Sequence, residues 1–164
     1  MRQYSISHYT RIWITDTYNY FSMLIGKYNL EYYKDVKVGD CFILRDGNTQ
    51  IAMSIFKESN SHDVYGNYGI RYIKNVNKID NDLMCIELLK VIPTHQLKGI
   101  GTKLVNAIIE KAKESKCNGV FVRAEPSEDS SLNFEELVKF YNKFGFVEIK
   151  RISKNECLML LLLK

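Results

Sequence analysis

The chain has 164 residues, 46% of them hydrophobic and 26% charged, with a net charge of +4. That length supports one domain, residues 1–164, with a buried core and is too short for two comfortable ones, and the composition is that of an ordinary globular protein. Lysines are spread along the whole length without a dense basic run, which argues against a dedicated nucleic-acid surface.

Residues 1–8 lack the apolar core of a signal peptide. The apolar run at 158–163 is far shorter than the roughly 20 residues a membrane helix needs and reads as a buried strand, so no membrane association is expected. Cys41, Cys85, Cys117 and Cys157 lie far apart without paired ligand spacing. They read as reduced, buried thiols of a cytoplasmic protein, with no metal site.

In chain order, residues 4–8 predict a short strand. Over residues 10–33 the apolar side chains fall at mixed spacings, which one long or two short helices fit best. Residues 41–44 and 50–56 flank Asp46-Gly47-Asn48, a hairpin signal because Asp-Gly tolerates the positive φ of a tight turn. A strand over 68–76 and a polar turn at 77–82 lead to residues 83–92, apolar enough to lie inside a sheet. Ile100, Leu104, Val105, Ile108, Ile109 and Ala112 then recur at helical spacing, and Asn118-Gly119 stops that helix. A strand at 120–124 follows. Asn133 and Glu136 form a capping-box pattern ahead of a helix bearing Leu137, Phe140, Tyr141 and Phe144, and Gly145 suits its end. Residues 146–151 and 157–163 supply two last strands. The order predicts an α/β fold on a mixed sheet, antiparallel at first, with a βαβ crossover whose ligand site lies at the C-terminal end of the strand before the helix.

The junction of that crossover is Gln96-Leu97-Lys98-Gly99-Ile100-Gly101-Thr102. Two glycines between strand and helix let the backbone turn tightly, and the helix start adds free N–H donors and the positive end of its dipole. Such a turn suits a phosphate or pyrophosphate, although glycines also serve as plain turn formers. A dinucleotide fingerprint would need a third glycine where Leu104 stands, and no Gly-Lys-Ser/Thr run is present for a P-loop.

Three segments together resemble the GCN5-related N-acetyltransferase superfamily. They are Leu89-Lys90-Val91-Ile92-Pro93, the Gln96–Thr102 turn as a Gln/Arg-x-x-Gly-x-Gly/Ala motif, and Phe140-Tyr141-Asn142-Lys143-Phe144-Gly145-Phe146 as a Tyr-x-x-x-Gly-Phe helix end. The resemblance implies a six- to seven-stranded, mostly antiparallel sheet with a central splayed parallel pair, flanked by about four helices. It also implies acetyl-CoA as donor, with CoA as product, and a small amine or a protein or peptide amine as acceptor. A homodimer is left open.

Within the resemblance, the amides of Leu97, Lys98, Gly99, Ile100, Gly101 and Thr102 would cradle the CoA pyrophosphate. Gly99 and Gly101 would be required because a Cβ there would hold the phosphates away. Gln96 could add a hydrogen bond and Lys98 a cation. Leu89 and Val91 would pair with the pantetheine arm through main-chain groups, on a strand splayed by a bulge near Pro93. Tyr141 stands where a phenol can protonate the thiolate leaving group. Glu87, sharing a strand face with Cys85 and Leu89, and Glu125 are candidate general bases. Asn133 stands one position early for a family asparagine that contacts pantetheine, and otherwise serves as the helix cap. The alternatives are a non-catalytic acyl-CoA-binding or regulatory domain and, with less support from the scattered charge, a toxin acetylating aminoacyl-tRNA.

Overall fold

Phe21–Ile25 (β1) and Tyr28–Tyr33 (β2), expected as helix, are antiparallel strands in which Ile25 faces Tyr28. The three tyrosines of β2 are residues that favour strands over helices. The computed structural model describes residues 21–25, 27–35, 37–69 and 82–163, so the strand expected at 4–8 and most of that at 68–76 lie outside the described residues.

The Asp-Gly hairpin forms as expected, joining β3 (Asp40–Asp46) to β4 (Thr49–Asn60), with Gly47 at φ +57°. A short helix, α1 (Ser61–Asn67), follows without having been foreseen. Tyr68 and Gly69 form the turn after it rather than the start of a strand, closed by the Gly69 N–H on the Gly66 carbonyl at 3.0 Å. Then come β5 (Asp82–Val91), a 3-10 turn at Pro93–His95, α2 (Ile100–Glu114), β6 (Gly119–Ala124), α3 (Phe134–Asn142), β7 (Val147–Ser153) and β8 (Glu156–Leu162).

Among the described residues, eight strands form one sheet in the order β1-β2-β3-β4-β5-β6-β8-β7. Residues 21–33 contribute two of these strands. Among the described residues, β5 with β6 is the parallel pair, and the other neighbours run antiparallel. The apolar stripe of α2 (Ile100, Leu104, Val105, Ile108) and the Phe134 and Tyr141 side chains of α3 bury one sheet face with Phe42, Phe56, Met84 and Val122. Val64 of α1 covers part of the opposite face with Leu83, Cys85, Phe121 and Leu158. Among the described residues, no helix is long and apolar enough to cross a membrane.

Two departures from regular pairing open the centre of this sheet. Phe56 pairs with Ile86 but Ile55 pairs with Leu88, so Glu87 is an extra residue bulged out of β5. Side chains of a strand alternate faces, and one extra residue reverses the alternation. Met84 and Ile86 therefore share the α2 face with Leu89 and Val91, and Glu87 does not share a face with Leu89 as the regular alternation predicted. The bulge also lies at Glu87 and not near Pro93. On the other side, β5 pairs with β6 only from Leu83–Gly119 to Ile86–Val122, although β5 continues to Val91. The two parallel strands part beyond Ile86, as the resemblance implied.

Candidate functional site

The part of β5 beyond the bulge presents its backbone to this split. The Ile92 N–H donates to the Ile51 carbonyl on β4 at 2.9 Å. Main-chain groups alternate sides along a strand, so those of Leu89 and Val91 point away from β4, into the opening.

At the far end of β5 the glycine turn has the geometry of an anion cradle. Leu97 and Gly99 both take positive φ, +59° and +75°, and Leu97 is 77% exposed at the tip. The first α2 hydrogen bond runs from the Lys103 N–H to the Gly99 carbonyl at 3.2 Å, so the amides of Ile100, Gly101 and Thr102 precede the helical ladder. The two glycines serve different ends. A Cβ on Gly99 would meet nothing within 4 Å, so its requirement is the left-handed backbone, whereas a Cβ on Gly101 would stand 3.3 Å from Cζ of Phe140. Gly101 thus also lets α3 close on α2. This turn, Leu89, Val91, Thr102, Leu132 and Phe140 border a cavity of about 560 Å³. The free amides, the dipole of α2 and this cavity fit a pyrophosphate and the arm attached to it.

Gln96 and Lys98 do not point their polar groups at that cradle. Gln96 Nε2 donates to the carbonyls of Val91 (2.9 Å) and Asp129 (3.0 Å), and its Oε1 accepts the Ser131 N–H at 2.6 Å. Lys98 Nζ donates to the Thr94 carbonyl at 2.7 Å. Asn133 caps α3, accepting the Glu136 N–H at 3.0 Å while Glu136 returns a bond to the Asn133 N–H at 2.9 Å. That side chain is committed to the helix end.

A second cavity of about 840 Å³ adjoins the first and shares Leu89, Lys90, Ser127, Ser130 and Leu137 with it. Tyr141, Glu87 and Glu125 all border it. Tyr141 is 4% exposed on the inner face of α3, and burial raises its phenol above the ordinary value of 10.0, so the ring stays a proton donor. Glu87 is held at the bulge by Lys57, whose Nζ lies 3.0 Å from Oε1. Arg123 reaches both Glu125 (3.2 Å) and Glu156 (2.6 Å). Lys57 and Arg123 escaped the sequence reading, because their partners come from neighbouring strands. The Cys85 thiol also borders the cavity, but burial pushes it up to about 11, which keeps it protonated and a poor nucleophile.

A sequence model of the family described as the acetyltransferase (GNAT) domain matches residues 37–148. No curated protein matches the chain. Among solved structures, NAA60 from Arabidopsis thaliana in complex with acetyl-CoA is similar with a TM-score of 0.54 at 16% identity, covering 76% of this chain and 76% of that one. The IAA acetyltransferase from Bacillus cereus gives a TM-score of 0.55 at 18% identity, covering 78% and 80%. The NatC complex bound to Gag peptide and CoA gives 0.54 at 20%, covering 76% and 71%. At these identities the likeness is one of fold.

Proposed function

The chain belongs to the GNAT acetyltransferase family, and on that premise we propose that it moves an acetyl group from acetyl-CoA to a primary amine by direct transfer in a ternary complex. The observation that carries this reading is the split between β5 and β6. Its open main-chain edge runs from the glycine turn at one cavity to Tyr141 at the other.

When bound, acetyl-CoA supplies a thioester carbonyl activated towards amines and a thiol leaving group. The residues of this chain have separate tasks around it. The amides of residues 97–102 hold the pyrophosphate, and the main chain of Leu89 and Val91 extends the arm along β5 as an added strand does. Tyr141, neutral because it is buried, gives its proton to the departing sulfur. Glu87 at the bulge takes the proton lost by the attacking amine, with Glu125 a second candidate across the cavity. Orientation of the two reactants supplies much of the remaining rate.

Thiol release from acetyl-CoA, measured with a panel of small amines, polyamines and peptides bearing free N-termini, tests the reading. Peptides belong in the panel because a structure of similar fold holds one. Release that depends on an amine, with intersecting double-reciprocal lines, is the expected result. Acetyl-CoA binding without release for every amine would favour an acyl-CoA-binding domain, and an isolable acetyl-enzyme would overturn direct transfer.

A further inference from the structure

The segment between β6 and α3, residues 125–133, is long and polar, and it crosses the open end of the β5/β6 split. Ser127 and Ser130 from this segment border both cavities, so it lies where one passes into the other. Two attachments hold it to the β5 side. One is the Gln96 side chain, which binds Val91, Asp129 and Ser131 together. The other is Lys90, whose Nζ is 2.8 Å from the Asp129 carboxylate, itself braced by Ser127 Oγ at 2.8 Å.

We propose that Gln96 is a positioning residue that clasps residues 127–131 as a strap over the groove, and that this strap retains the pantetheine arm of acyl-CoA. The inference rests on the acetyl-CoA reading above. Its chemistry is particular to an amide side chain. The NH2 group donates twice, to two carbonyls, and the carbonyl oxygen accepts once, from a main-chain N–H. An arginine, the other residue allowed at this motif position, has donors only and leaves the Ser131 N–H unanswered. A glutamate has acceptors only and faces two carbonyls with a negative charge. The clasp also engages the carbonyl of Val91, which ends the free β5 edge at that residue. The arm then has Leu89 and the Val91 N–H to pair with and the strap above it. Because the strap is fastened by side chains and not by strand pairing, it can lift for exchange of CoA and reclose.

Dissociation of CoA by stopped flow, with acetyl-CoA KM and kcat measured in parallel, reads the strap. Gln96→Met keeps the side chain's length and removes all its hydrogen bonds. It is expected to speed CoA dissociation about fivefold to tenfold, the scale of one net hydrogen bond or slightly more, and to raise acetyl-CoA KM further than it changes kcat. Gln96→Arg, which retains both donors, should fall between Gln96→Met and the native protein. Asp129→Asn removes the charge from the Lys90 contact without touching the Gln96 side chain and should also speed release, which keeps the test available if Gln96→Met does not fold. Dissociation unchanged in both Gln96→Met and Asp129→Asn, whether or not their melting temperatures fall, overturns the strap. Failure of the native protein to bind CoA at all would instead overturn the acetyl-CoA reading beneath it.

Discussion

Phe140 of α3 rests against Gly101 of α2 so closely that a Cβ on the glycine would stand 3.3 Å from its ring. The contact fixes how near the tyrosine-bearing helix comes to the start of α2. Gly101→Ala sets this close contact against a helix-propensity gain of about 1 kcal/mol, so stability should change little while kcat falls as Phe140 and α3 are displaced. Gly99→Ala meets no neighbour but forces an alanine into φ +75°, costing about 1–2 kcal/mol with less effect on kcat. Thermal melts and steady-state kinetics on the two variants separate the roles. Gly99→Glu, which brings a carboxylate to the cradle, should abolish CoA binding by calorimetry with the fold retained, and unchanged affinity would sink the pyrophosphate assignment.

Tyr141→Phe removes one hydroxyl from a ring that is already packed against Phe140 and Phe146 at centroid distances of 5.1 and 5.4 Å. The packing survives, so acetyl-CoA affinity should change little. Turnover should drop roughly 10²-fold or more, the range of a positioned general acid. Equal losses in affinity and turnover would mean that the ring serves packing only.

Glu87 is offered to the larger cavity by the bulge and steadied by Lys57, whereas Glu125 is held by Arg123. We expect Glu87→Gln to lower kcat/KM for the amine about 10²-fold, with acetyl-CoA affinity little changed. Glu125→Gln should change the rate by no more than a few-fold. The reverse ranking in parallel pH–rate measurements would move the base to Glu125.

All four cysteines are free and buried, and burial raises each thiol from an ordinary 9.0: Cys41 to about 12, and Cys85, Cys117 and Cys157 to about 11. A group whose folded pKa lies above its unfolded one loses its proton first in the unfolded chain, and that ionisation favours unfolding. The contribution of these thiols is thus complete below pH 9.0 and declines as pH rises towards 11 and 12. Melting temperature followed from pH 7.5 to 10.5 should hold level and then fall beyond about 9, and thiol reagents at pH 8 should react only as the protein unfolds. A flat profile to pH 10.5 would show that the thiols are not shielded in solution.

Much of this architecture rests on local signals that a single chain displays. The Asp46-Gly47-Asn48 turn needs a positive φ, the 3.6-residue stripe of α2 needs one apolar face, and the Asn133–Glu136 capping box is complete within four residues. The glycine turn is local as well, which is why its fitness for an anion is legible. The residues 21–33 misled because aromatic and aliphatic side chains at mixed spacing satisfy either period, and only pairing with β3 makes them strands.

The sequence by itself determined the β3–β4 hairpin, the order of elements from β5 onward, the place of the glycine turn and the tyrosine helix, and through them the acetyl donor. Only the tertiary structure decided where β5 bulges, because a bulge is a mismatch between two strands and belongs to neither alone. It likewise decided that Gln96 reaches 33 and 35 residues along the chain to Asp129 and Ser131 instead of facing a phosphate. A side chain's donors go to the carbonyls that folding brings near, and no spacing in the sequence records that distance.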